Sequence, residues 1–148
     1  MTRYRLTEAI DLDVTYDIEI SRYGAAYFER HGITRAAFKT KLLSLPSIGY
    51  EADGHPIGGM IFDGNQPHMA VHPQHHGKWG VLWKPSLEWV FSFKDPIRAL
   101  VEADNTLCVQ FMERNGWPRI DESKEFIVFE WTAKNHPLFR KRPCQDKQ

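Results

Sequence analysis

The run Val71-His72-Pro73-Gln74-His75-His76-Gly77-Lys78-Trp79-Gly80 constrains this chain most, because it joins an extended segment to a helix-like one through two glycines. A glycine loop entering a helix can turn several backbone N–H groups toward one point, where the helix macrodipole also favours negative charge. Such a loop is a seat for a pyrophosphate. Downstream, Asn105 opens an amphipathic segment that ends Arg114-Asn115-Gly116-Trp117. The order is therefore strand, anion-binding loop, helix, strand, helix. An ordinary strand-to-helix turn is the bland alternative for Gly77, Lys78 and Gly80, and Asn105 tips the reading toward a ligand site.

Gln74-x-x-Gly77-x-Trp79 resembles the Gln/Arg-x-x-Gly-x-Gly/Ala loop of the GNAT superfamily of acyl-CoA-dependent N-acetyltransferases, with Trp79 in place of the last Gly or Ala and Gly80 one residue late. The second signature of that superfamily, an Asn followed by a helix and a Gly-aromatic pair, is matched by Asn105, the segment through Arg114, and Gly116-Trp117. Each motif alone is weak; order and spacing together carry the resemblance, which is clear over roughly residues 56 to 132. It implies an α/β (α+β) fold: a mixed, mostly antiparallel central sheet flanked by helices and splayed near residues 69 to 72. Acetyl-CoA would be the co-substrate, and an amine, on a small molecule or a protein, would attack the thioester directly. The residues implied at the cofactor are Met69, Val71, Gln74, His75, His76, Gly77, Lys78, Trp79, Gly80 and Asn105. Trp79 would crowd the diphosphate, stack on the adenine or line the pocket.

The chemistry half of the resemblance is thinner. Where the superfamily often carries a thiolate-protonating Tyr this chain has Met112, and at one usual Glu position it has Leu100. The nearest titratable substitutes are Glu102 and His68, each with a purely structural role as its alternative. Compact relatives of phage origin, some of them internal virion proteins, have a similar ending and also lack the Tyr. The alternative to an enzyme is thus a protein of this shape that has lost its chemistry and serves in binding or structure. His68, His72, His75 and His76 form a dense group, but no Asp, Glu or Cys is interleaved at ligand spacing, so no metal is expected. His75-His76 reads as a phosphate-facing pair beside the glycine turn.

Lys+Arg and Asp+Glu both number 19, so no global field steers the chain to nucleic acid or an acidic membrane, and an RNA-directed enzyme is disfavoured. No run of about 18 apolar residues exists, Met1-Thr2-Arg3-Tyr4 leads straight into fold-like sequence, and the expected compartment is cytoplasmic. With 148 residues the expectation is one domain, ending in a flexible basic tail over 135–148 around Arg140-Lys141-Arg142. A homodimer is left open. Cys108 and Cys144 are far apart and outside any ligand spacing, and Cys108 is expected to be buried and inert.

Along the chain, Tyr4 to Ile10 reads as a first strand. Asp11 to Ile20 alternates strictly, which by period says strand; Asp11 as an N-cap, Ile10, Val14 and Ile18 at i, i+4, i+8, and the resemblance all say helix, which is the expectation. Helices are also expected at Ala25 to Arg30 and after Thr34, the latter with Phe38 and Leu42 on one face and Pro46 as its stop. Asp53-Gly54 marks a type I′ hairpin and Asp63-Gly64-Asn65 repeats the signal before Pro67 to His72. Pro85 either kinks the next helix or sits in its first turn, with Leu87, Val90 and Phe91 facing the core. Ile97 to Glu102 reads as a strand buried on both faces, 106 to 115 as a helix with Leu107, Cys108, Phe111 and Met112 on its apolar stripe, and Phe126 to Trp131 as the last strand.

Overall fold

A computed structural model describes residues 1–134 and 136–139. The core of the expected basic tail, including Arg140-Lys141-Arg142, and Cys144 lie outside the described residues. The chain forms two compact units, Met1–Val90 and Phe91–Gln148. Both sheets are antiparallel throughout and helices accompany each, an α+β architecture. Among the described residues no helix is long and apolar enough to cross a membrane.

The first unit is a four-stranded sheet of β1 (Tyr4–Thr7), β2 (Ser47–Ala52), β3 (His55–Phe62) and β4 (Pro67–Val71), in that order. Between β1 and β2 run α1 (Leu12–Tyr23), α2 (Ala25–Arg30) and α3 (Arg35–Leu42). The strand-like alternation of residues 11–20 is overruled by capping and charge. The Asp11 carboxylate accepts the Val14 N–H, and Asp13 and Asp17, four residues apart on one side of α1, both bind Arg35 of α3, with Lys39 adding a second cation to Asp13. Thr34 caps α3 as expected, through the Ala37 N–H.

The β2–β3 turn has positive φ at both Asp53 and Gly54, the type I′ geometry that Asp-Gly favours. Two residues beyond it β3 carries a bulge: Glu51 pairs with Pro56 but Tyr50 with Gly58, so Ile57 is an extra residue. From Gly58 onward direct partners share a face, which puts Ile48, Met60 and Met69 together on one side. The other side is shaved down to glycine. A Cβ on Gly59 would lie 2.2 Å from the Ile48 carbonyl oxygen and 2.8 Å from Ile10. After the loop, α4 (Trp83–Phe91) follows a short 3-10 turn at Gly80–Leu82, and Pro85 sits in its first turn, where no helical N–H is lost. Leu87 and Val90 are fully buried, while Phe91 is half-buried.

The second unit holds β5 (Ile97–Glu102), α5 (Thr106–Arg114), β6 (Arg119–Glu122) and β7 (Phe126–Trp131), with sheet order β5-β7-β6. The expectation that β5 is buried on both faces is corrected: Ile97, Ala99 and Val101 are buried opposite Trp131, Phe129 and Ile127, whereas Leu100 is 44% exposed. An antiparallel sheet needs only one covered face, so the strand alternates. On α5 the stripe narrows to Met112, with Leu107 exposed and Cys108 half-buried rather than sealed. The short β6 had no sequence signal strong enough to name it.

Trp117 and Trp131 stack with ring centres 4.6 Å apart, and the Trp131 indole N–H donates to the Met112 sulfur. His136 is buried beside them: its Nε2–H donates to the Asn115 Oδ1 at 2.5 Å and its Nδ1 accepts the Leu138 N–H. The expected flexible segment thus begins, in its described part, with a packed histidine and a 3-10 turn at Pro137–Phe139. Both ring nitrogens are used by the neutral tautomer, and burial pushes the His136 pKa below its ordinary 6.5. Its unfolded form binds a proton more readily than its folded form. The stability contributed by the neutral ring should therefore be complete above pH 6.5 and be lost as pH falls below that value. Urea denaturation between pH 7.5 and pH 5 should show this loss in the wild type and a smaller one in His136→Gln; equal pH slopes would refute it.

Candidate functional site

The sequence-predicted loop is built by its own side chains turning inward. Residues 73–75 form a 3-10 turn capped by His72, whose Nδ1 accepts the Gln74 N–H at 3.2 Å. His75 is tied to β1 through the Tyr4 hydroxyl, 3.0 Å from Nδ1. His76 donates from Nε2 to the Val71 carbonyl at 2.8 Å. One nitrogen of each ring in the expected phosphate-facing pair is therefore committed to the protein. Gly77 then takes φ +77, a left-handed conformation that glycine adopts at little cost.

The Trp79 side chain packs into the protein. It is 8% exposed, stacks on Tyr50 at 5.6 Å and meets Trp83 edge-on at 5.6 Å. Its backbone, at φ −89 and ψ 8, is open to any residue, so the fold does not demand a Gly or Ala there. Under it the Tyr50 hydroxyl lies 2.7 Å from Ser86 Oγ, which donates to the Leu82 carbonyl; a serine has one proton, so Tyr50 is the donor. Burial pushes the Tyr50 pKa well above the ordinary phenol value, against the milder pull of the Ser86 contact, so this phenol does not exchange protons near neutral pH.

What remains on the outside is a cationic rim. The N–H groups of Gly77, Gly80 and Val81 make no hydrogen bond among the described residues, and all three residues are exposed. A Cβ on either glycine would meet nothing within 4 Å, so the space above them is open. From Val71 to Leu87 the chain has no Asp or Glu but has Lys78 and Lys84, both exposed and without an ion pair among the described residues. In a chain of zero net charge this is a local surplus of positive charge beside unpaired donors, the arrangement an anion needs.

Met69 and Val71 lie on β4, the edge strand of its sheet; Val71 is buried and Met69 lies within 3.9 Å of the Tyr50 hydroxyl. His68, three residues and roughly 10 Å along β4 from Val71, bonds from Nε2 to the Asp63 carboxylate at 2.8 Å. Partial burial would raise the Asp63 pKa, but His68 and the Gln66 and Asn65 N–H groups outweigh it and hold it low. Glu102 and Asn105 belong to the second unit. Glu102 closes β5 half-buried, its carbonyl accepting the Asn105 N–H, and the Asn105 Oδ1 caps α5 through the Cys108 N–H at 3.3 Å. Among the described residues no three His, Cys, Asp or Glu are grouped as metal ligands.

No family model matches the chain and no curated protein does. Solved structures do. A protein of Pyrococcus horikoshii OT3, PH1933, aligns with a TM-score of 0.68 at 14% identity, covering 88% of this chain and 98% of its own. The PaiA N-acetyltransferase of Thermoplasma acidophilum, solved with coenzyme A, aligns at 0.63 and 15%, covering 88% and 99%. The Campylobacter jejuni N-acetyltransferase PseH, solved with acetyl coenzyme A, aligns at 0.59 and 17%, covering 89% and 99%. The fold expected from the loop and the asparagine motif is the fold observed.

Gly77→Ala should cost about 1–2 kcal/mol for a forced left-handed conformation, while Gly80→Ala, with ordinary φ and open space, should be silent in a thermal melt; equal effects would refute the assignment. Asn105→Ala should lose about 1 kcal/mol with its cap and Asn105→Asp should keep it. Weakened coenzyme A binding in both Asn105 variants would add a ligand role to the cap.

Proposed function

With the acetyltransferase fold as premise, we propose that this protein is an N-acyltransferase that uses acetyl-CoA and an amine acceptor. The observation that carries the reading is the rim of the loop: unpaired N–H groups at Gly77, Gly80 and Val81 beside the Lys78 ammonium, in a stretch without a carboxylate. Those groups, with Gln74 and the second ring nitrogens of His75 and His76, are the ones to hold a diphosphate, and the bare glycines leave room for it. Trp79 contributes its fold, not its indole face. Acetyl-CoA, when bound, supplies an acyl carbonyl activated as a thioester.

An attacking amine must be neutral, and His68 on β4 is the base proposed to take its proton. Its Nε2 proton is held by Asp63, which leaves the Nδ1 lone pair as the acceptor, the orienter-and-base arrangement of nucleophile activation. Glu102 is proposed as the alternative base from β5. Met112, in the position where a thiolate would find its acid, is buried and receives the Trp131 N–H, so the leaving thiolate takes its proton from solvent. The same observation favours the second reading, a protein of this fold that binds the cofactor and does not turn it over.

Titration calorimetry with CoA and acetyl-CoA tests the proposal. Binding is expected in the wild type, and Gly77→Asp, which puts a carboxylate where the anion sits, should weaken it by about tenfold or more. Unchanged affinity in Gly77→Asp would remove the loop from the site. Binding without thiol release across a panel of amines would favour the non-catalytic reading.

A further inference from the structure

We infer that Trp79 is a positioning residue of the anion loop: its indole, pegged between Tyr50 and Trp83, holds the backbone of residues 77 to 81 in the conformation that leaves three N–H groups unpaired and exposed. This rests on the cofactor reading above and adds a residue to which the loop motif gives no such part, since the motif has Gly or Ala at this position.

Exposure contrasts sharply along the loop. Lys78, Gly80 and Val81 are exposed, Val81 by 70%, while the Trp79 between them is 8% exposed. A single large aromatic buried amid exposed neighbours fixes the main chain on both sides of it, because the indole cannot leave without exposing roughly 150–250 Å² of surface. The Trp79 carbonyl extends the hold by accepting the Leu82 N–H at 2.9 Å, which sets the 3-10 turn leading into α4. Beneath the indole, the Tyr50 ring is fully buried and is itself fixed by its hydroxyl on Ser86. The peg therefore has a rigid socket made of β2 and α4.

A loop held in advance loses less conformational freedom when a ligand arrives, and the saving appears as affinity. Gly77 and Gly80 would otherwise make this stretch one of the more mobile in the chain. A Trp that merely filled the core would affect stability and leave the affinity of the folded protein alone. A positioning Trp affects both.

The test is CoA affinity by calorimetry on the full chain, under conditions where circular dichroism shows each variant folded. Ile18→Ala, a truncation of a buried residue on α1, is the stability control. Trp79→Ala is expected to weaken CoA by about tenfold or more, Trp79→Phe to recover all but about threefold, and Ile18→Ala to stay within about twofold of wild type. Should Trp79→Ala fail to fold, Tyr50→Leu, which removes the stacking partner and leaves the Trp, takes its place with the same expected loss. Less than about threefold weakening in the variant used, or an equal loss in Ile18→Ala, overturns the positioning role. A wild type that does not bind CoA overturns the cofactor reading itself, and this inference with it.

Discussion

A buried phenol has to place its hydroxyl, and in the first unit nearly everything that matters to the site is arranged around that requirement at Tyr50. The ring comes from β2, the hydroxyl is received by Ser86 on α4, Met69 of β4 lies against it, and Trp79 of the loop stacks on its face. An unpartnered buried hydroxyl costs about 1–3 kcal/mol, so strand and helix are held together by the need to satisfy a single oxygen, and the loop is held to them by the Trp79 ring on the Tyr50 face. The exposed face of the loop inherits its shape from this buried side.

The electrostatics follow the same division. Acidic residues are used where they bind cations of the protein itself, as Asp13 and Asp17 do around Arg35, or Glu113 and Glu122 around Arg119. From Val71 to Leu87 they are absent from the chain, and Lys78 and Lys84 make no ion pair among the described residues. A chain can thus be neutral as a whole and still present one positive rim, because net charge averages over a distribution that local pairing has already sorted.

The loop and the asparagine-capped helix were legible because their constraints are local: a left-handed Gly77, an N-capping Asn105, and the Gly116 stop act within a few residues. Asp11, Thr34 and Asp53-Gly54 were legible for the same reason. What was not legible depends on distant partners. Over 11–20 the helix is expected from Asp11 and the i, i+4 spacing, against the alternation, but the part that Asp13 and Asp17 play in holding it depends on Arg35, far along the chain. The stacking of Trp79 is hidden because nothing near it in sequence announces Tyr50 as its socket, and the hydrogen bonds of His75 and His76 are hidden because Tyr4 and the Val71 carbonyl become their neighbours only in the fold. The one-sided burial of β5 likewise turns on β7.

The bulge at Ile57 has a consequence for how this chain can change length. Surface loops usually accept insertions and deletions, and a hairpin two residues from its turn looks like such a place. Removing Ile57 would leave the Asp53-Gly54 turn intact and make the β2–β3 ladder regular with the same partners, Glu51 opposite Pro56 and Tyr50 opposite Gly58, so every residue of β3 from Gly58 onward would keep its face. Met60 would stay beside Ile48, away from the space that a single Cβ on Gly59 already overfills. The bulge is therefore the place where the first sheet can lose a residue without losing its register: the deletion would act through the buried Ile57 side chain and the local twist, and leave the two faces as they are.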